Sequence, residues 1–181
     1  MSTQVSAKSR AIQSVNTKYL TMSGLMAAMI TIMTAYIGHI PTGVNGGYIH
    51  FGDSLIYIAA AILPTPYALA AAAIGGGLAD LLTAPMWVPA TVIIKMLITI
   101  PFTNKSVRII NGRNVLAAVL AYFISGISYF VAEYIIFGNA TSAFLASMSG
   151  SLVQSGGSAI FFVVFGLALD RMRVKDRIKD M

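Results

Sequence analysis

The 181-residue chain is 57% hydrophobic and only 10% charged, and its mean hydropathy is +0.79, far from the balance of a soluble globular domain. It has no cysteine, which excludes a disulfide framework, a cysteine metal site and a thiol nucleophile. The formal net charge of +6 is compatible with a nucleic-acid partner, so the positions of the basic residues have to decide what it means.

Residues 1–17 are polar, with Lys8 and Arg10 among Ser, Thr, Asn and Gln, and read as a short cytoplasmic tail. The apolar run after Lys18 lasts about 20 residues, a spanning length rather than a signal-peptide core. It predicts a first span over 19–40. The segment PTGVNGGYIH, rich in Gly and free of Lys and Arg, makes an irregular loop. Two apolar stretches follow, 51–63 and 67–83, each about 13 to 17 residues and near or below the lower limit for crossing ~30 Å of hydrocarbon. As one helix, 51–83 would be roughly 50 Å long and interrupted by Pro64 and Pro66. Two short helices in a hairpin fit better, and they return Asp53 and Asp80 to the same side. A fourth span over 89–102 follows APMWVP; the polar segment NKSVRIINGR separates it from a fifth over 115–137, and a sixth covers 144–169. The fold class expected is an all-α bundle of six transmembrane helices, one membrane domain over 18–170, closed by the basic tail 171–181.

Charge placement agrees with six spans. The N-terminus, the 104–113 loop and the C-terminus then share one side, and they hold every Lys and Arg of the 12 except Lys95. The loops near 41–50, 84–88 and 138–143 hold none. This is the positive-inside pattern, with both termini cytoplasmic. Topology explains the basic excess without nucleic acid.

Lys95 lies inside the fourth span, where a charge costs about 2.5–3.5 kcal/mol on insertion scales, so it needs a partner or water. Asp53, Asp80, Lys95 and Glu133 all fall in the outer half of the membrane, with His50 beside them. One reading is a structural pair between Asp80 and Lys95 that ties the third and fourth spans together. The other is a ligand site. Residues three or four apart share a helix face, and on the fifth span Ser125, Tyr129 and Glu133 do so. Ser147, Ser151, Gln154, Ser155 and Ser158 make a polar stripe on the sixth, and Thr91 and Lys95 pair on the fourth. Ser and Thr also cement helix packing in membranes, but Glu133, Gln154 and Lys95 at one depth favour a pocket open to the outside. The candidate substrate-binding residues are Asn45, His50, Asp53, Trp87, Lys95, Tyr129, Glu133, Gln154 and Ser158, under a lid made by the Gly-rich loop.

Other motifs read blandly. Gly75, Gly76 and Gly77 lack the GK[ST] of a phosphate loop and serve close helix contact. Trp87 near the membrane edge suits an interfacial anchor as well as a stacking platform. Asn139-Ala140-Thr141 fits a glycosylation sequon of little specificity, and His39 and His50 make a weak case for metal. There is no HExxH, GxSxG or Walker sequence. On the first span, Ser23, Ala27, Thr31 and Ala35 recur every four residues beside Gly24 and Ala28, a smooth strip for another helix, within the bundle or from a partner.

Six spans in about 180 residues, an outer loop leading into IHFGD, the small-residue strip of the first span and GGGLADLL ending the third resemble the substrate-binding S components of energy-coupling factor (ECF) transporters. The resemblance covers essentially the whole membrane part. It implies a multi-pass protein of the bacterial cell membrane that captures a vitamin from outside with its outer loops and last three helices. It also implies a membrane T component, reached through an Ala-x-x-x-Ala strip that here becomes Ser23, Gly24, Ala27, Ala28, Thr31 and Ala35, and two cytoplasmic ATPase subunits. The chain itself would be no enzyme and need no cofactor, ATP being used by the partners. Three carboxylates and one lysine are a poor home for a polyanion and suit a small neutral or weakly basic heteroaromatic alcohol, of which hydroxymethylpyrimidine and pyridoxine are the closest suggestions. A stand-alone proton-coupled carrier is the rival class, since membrane carboxylates also serve as proton sites. A membrane enzyme is a more distant one.

Overall fold

The computed structural model describes residues 16–37, 39–41 and 48–180, with Lys179 and Asp180 in backbone only; Asn45, Lys8 and Arg10 lie outside the described residues. Helix α1 (Thr17–Ile32) starts on Asn16, whose side chain accepts the Lys18 N–H at 3.1 Å, and runs into a π-helical turn, Met33–Ile37. Strands β1 (Ile40–Pro41) and β2 (Tyr48–Ile49) pair antiparallel, a ladder that the all-α expectation did not include. Then come α2 (Asp53–Ile62), α3 (Thr65–Thr83), a 3₁₀ turn at Pro85–Trp87, α4 (Val88–Thr99), α5 (Gly112–Phe137), α6 (Ala140–Arg171) and α7 (Val174–Asp180). Among the described residues four helices are long and apolar enough to cross a membrane, Thr17–Ile37, Thr65–Thr83, Gly112–Phe137 and Ala140–Arg171; Asp53–Ile62 and Pro85–Thr99 are shorter.

The break at Pro64 and Pro66 has a local cause. A residue before proline is pushed out of the α region, and Leu63 is extended at φ −84° and ψ 151°, while Pro66 sits in the first turn of α3 where its missing N–H costs nothing. The short α2 that results is the centre of the bundle. It touches α1, α3, α4, α5 and α6, and all of its residues but Leu55 are buried. At roughly 15 Å it is shorter than the ~30 Å hydrocarbon layer, and protein rather than lipid surrounds it. Below its middle, Tyr57 packs on Phe102 (ring centroids 4.9 Å apart) and Phe162 (5.9 Å), and this aromatic group anchors the apolar core.

Small residues set the helix spacings. A Cβ on Gly75 would lie 2.9 Å from the Ala27 carbonyl oxygen and 2.8 Å from Ile30 Cβ; one on Gly76 would lie 2.7 Å from Lys95 Cγ, and one on Gly77 2.8 Å from Val92 Cγ2. The glycine run thus lets α1 close on one side of α3 and α4 on the other. The strip on α1 answers it from the far side. Ser23 Oγ donates to the Tyr67 carbonyl at 2.7 Å and Thr31 Oγ1 to the Gly75 carbonyl at 3.0 Å, and Ser23, Ala27 and Ala35 are buried. Through Ser23, Ala27 and Thr31 the strip meets α3 of the same chain. Only Gly24 and Ala28 of that set stay exposed.

The C-terminal segment also differs from a free tail. Ile178 is buried in the core, Lys18 donates to its carbonyl oxygen, and Lys175 Nζ donates to the carbonyls of Asn104 and Ser106 at 2.9 and 2.6 Å. Asp170 accepts the N–H groups of Ile109 and Ile110 at 2.7 and 2.9 Å. Burial of Ile178 and lysine bonds to backbone carbonyls are what fasten this end. Asn139 has a structural role as well: Gly138 ends α5 at φ 72° and Asn139 caps α6, accepting the Ser142 N–H at 3.0 Å.

Gly75→Val is expected to lower the thermal midpoint of the purified protein, corresponding to about 1–3 kcal/mol of overpacking. Gly24→Ala, whose Cβ would meet nothing within 4 Å, is expected to leave it unchanged. Equal effects of the two substitutions on thermal unfolding in detergent would contradict this packing scheme.

Candidate functional site

Where α4, α5 and α6 meet β2, a cavity of about 340 Å³ opens. Its lining contains Tyr48, Ile49 and His50 from the β2 segment, Asp80 from α3, Trp87 and Thr91 around the start of α4, Tyr129 and Glu133 from α5, and Ala146, Ser147, Ser149, Gly150, Ser151, Val153 and Gln154 from α6. Two helical stripes run down into it. On α5, Glu133 and Tyr129 face the cavity and Ser125 lies deeper, fully buried; on α6, Ser147, Ser151 and Gln154 line it while Ser155 and Ser158 continue into the interior.

The polar groups of the wall are organised in pairs. Glu133 is buried, and its Oε2 accepts the Ser147 hydroxyl at 2.8 Å. Thr91 and Tyr129 hydroxyls are 3.1 Å apart. The Tyr48 hydroxyl donates to Asp80; burial first, and the Asp80 charge behind it, push the Tyr48 phenol up, so it remains a donor. Tyr48 in turn stacks on His39, with ring centroids 4.0 Å apart. Trp87 meets Tyr129 edge-on at 6.1 Å, and its indole N–H has no acceptor among the described residues. Aromatic faces and hydrogen-bonding groups therefore alternate around the space.

Beneath the cavity lies an ion pair. Lys95 Nζ donates to Asp53 Oδ1 at 2.7 Å, with both side chains essentially inaccessible, and Gln154 Nε2 donates to Asp53 Oδ2 at 2.9 Å. Asp53 is the first residue of α2, where the helix dipole favours a negative charge. The pairing of Lys95 with Asp80 expected from sequence does not form. Asp80 leans toward β2 and takes the Tyr48 hydroxyl, whereas Lys95, passing over Gly76, reaches the end of α2 instead. The Lys95 ammonium also lies 5.7 Å from the Tyr129 ring centroid.

Of the substrate-binding candidates, His50, Trp87, Tyr129, Glu133 and Gln154 line the cavity. Asp53, Lys95 and Ser158 do not; they are at most 1% exposed, below the floor, because the central position of α2 draws them inward. Sequence reasoning missed Tyr48 and Ile49, whose alternation with His50 was the available signal. It also set Thr91, Ser147 and Ser151 among the polar faces without naming them as wall residues.

His50 is neutral. Burial first, then the nearby Lys95 charge, lower its pKa from the ordinary 6.5 to about 3, and its Nδ1 accepts the Gly52 N–H at 3.1 Å, which leaves the proton on Nε2. A folded-state pKa below the unfolded one gives stability that is fully present above about pH 6.5 and is lost as pH falls towards 3. The melting temperature of wild type is therefore expected to drop between pH 6.5 and 4 more steeply than that of His50→Asn, which keeps an acceptor for Gly52 but does not titrate. Lys95→Met, which strands the Asp53 carboxylate, is expected to cost about 3–5 kcal/mol, and Asp53→Leu on that background to restore much of it. Both are read by thermal unfolding.

A search of curated proteins returned no match. Residues 14–171 match the sequence profile of the family described as ECF-type riboflavin transporter, S component. That match takes in every spanning helix, the β2 segment and every wall residue of the cavity. The chain is a multi-pass membrane protein and belongs to the family of ECF transporter S components.

Proposed function

We propose that this chain captures a neutral or weakly basic, nitrogen-containing heteroaromatic vitamin that carries hydroxyl groups, and presents it to the other subunits of an ECF importer. The observation that carries the reading is the composition of the cavity wall. Two carboxylates, Asp80 and Glu133, line the space, while Lys95, the cation nearest to it, is already neutralised by Asp53 underneath. An anionic ligand would meet like charge in a site of low dielectric, and a polyanion several times over. Ring nitrogens, an exocyclic amine or hydroxymethyl groups find partners in Glu133, Gln154, Ser151 and Trp87, and the ring itself finds Tyr129 and Tyr48.

Hydroxymethylpyrimidine and pyridoxine are the ligands of this class that suit paired carboxylates best. Riboflavin is a second reading. It is the vitamin in the description of the matched family, it is uncharged, and a cavity of about 340 Å³ has room for more than one ring. In either case the six helices α1 to α6 act as six spans with both termini cytoplasmic, residues 1–17 and 171–181 on that face and the cavity open to the outside. A T component docks on the exposed side of α1 around Gly24 and Ala28, and two ATPase subunits supply the energy that this chain has no motif to supply.

Calorimetric titration of hydroxymethylpyrimidine, pyridoxine and riboflavin into the purified protein tests the proposal, with pantothenate and biotin as acidic controls. One of the first three is expected to bind about one to one, and Glu133→Gln to weaken it roughly tenfold. Tight binding of an acidic control alone would overturn the ligand class. Uptake driven by a proton gradient in vesicles that hold only this chain would instead establish a stand-alone carrier.

A further inference from the structure

The side chain of Gln154 belongs both to the cavity wall and to the buried network below it. An amide offers two N–H donors at one end and a carbonyl acceptor at the other. In a water-filled pocket a glutamine can turn over and present either end. Here Nε2 is committed to Asp53 Oδ2 at 2.9 Å, while Asp53 Oδ1 takes the Lys95 ammonium at 2.7 Å. An ionised carboxylate is an acceptor only. Turning the Gln154 amide over would set its carbonyl oxygen against a carboxylate oxygen in a site from which water is excluded, and would lose a charge-assisted bond. Asp53 stays ionised because Lys95 faces it and because it heads α2.

We infer that the Lys95–Asp53 pair is a polarity lock: it holds the Gln154 amide with Oε1 as its free end towards the cavity, so that this part of the wall accepts hydrogen bonds and selects a ligand with an N–H or O–H donor there. The lock is a property of the chain. Its consequence for selectivity rests on the vitamin-capture reading given above. Three elements distant in sequence make it, since α2, α4 and α6 each contribute one residue, and Gln154 is 101 residues from Asp53. Asp53 and Lys95 are thus positioning residues that act on the ligand through Gln154.

Two measurements on the full-length protein separate the lock from the ligand reading. The first needs no ligand. The chain has only three glutamines, Gln4, Gln13 and Gln154, so with glutamine side chains ¹⁵N-labelled the Gln154 amide is assigned by its loss in Gln154→Met. Its protons are expected to exchange with solvent at least about tenfold more slowly than free glutamine side chains, and to lose that protection in the uncharged double variant Asp53→Asn, Lys95→Met. Free exchange in wild type, or unchanged protection in the double variant, would overturn the lock.

The second compares whichever vitamin binds with an analogue whose donor is methylated: hydroxymethylpyrimidine with its dimethylamino form, pyridoxine with its O-methyl ethers, riboflavin with the N3-methyl form. Wild type is expected to disfavour a blocked analogue by about tenfold. Gln154→Met, which leaves the ion pair intact, is expected to bind both within about twofold, and the double variant likewise, because an Asn at position 53 allows the amide to turn over. Discrimination that survives in Gln154→Met would overturn the selectivity. Binding of none of the three vitamins would remove the ligand class proposed above, and the exchange measurement would then decide the lock by itself.

Discussion

A lysine and an aspartate 2.7 Å apart, neither reachable by solvent, stand at the junction of the helices that matter most to this protein. Placing one charge among membrane helices is unfavourable, and placing two is tolerable only when they meet with good geometry and their remaining valences are filled. The surroundings satisfy that condition. Gly76 clears a path for the lysine stem, the start of α2 stabilises the carboxylate, and Gln154 fills its second oxygen. Removing any one of these would leave the other groups buried without compensation, so the positions of α2, α4 and α6 are fixed together.

The short central helix follows from the same constraint. Because α2 is enclosed by five other helices, its polar N-terminus lies at the floor of the cavity while its Ala-rich body packs in the apolar core. A helix that is apolar all round belongs in the interior rather than against one partner. Close approach of the neighbours then depends on small residues. The α1 strip and the glycines of α3 are two halves of a single contact, made by van der Waals packing and by hydroxyl bonds to backbone carbonyls, which is how helices associate where lipid gives no hydrophobic drive.

The cavity is built over this rigid base. The ion pair beneath its floor is internally neutralised, and its walls carry the chemical variety: aromatic edges, hydroxyl pairs and two carboxylates from α3 and α5. β2 and the 3₁₀ turn at Pro85–Trp87 are short elements that give Tyr48, Ile49 and Trp87 to the wall. The wall thus joins short elements to long helices, which carry Tyr129, Glu133, Ser147, Ser151 and Gln154, and the end of the bundle away from the cavity is closed by α7 and the 103–111 loop.

Much of this was legible from residues alone. Hydropathy marked the helices, because backbone groups in lipid must be satisfied within a segment. Two prolines split α2 from α3 for steric reasons that act locally. The four-residue spacing on α5 and α6 placed Tyr129, Glu133 and Gln154 on faces that do meet at one cavity. What sequence could not supply was partnership across the fold. Lys95 had two candidate aspartates at similar depth, and only the packing of α4 over Gly76 towards the start of α2 selected Asp53 over Asp80. The strip on α1 had two possible partners, and only the fold showed that Ser23, Ala27 and Thr31 turn to the α3 glycines while Gly24 and Ala28 stay exposed. Spacing along a helix determines which residues share a face; what that face meets depends on rotations and depths that only the assembled bundle sets.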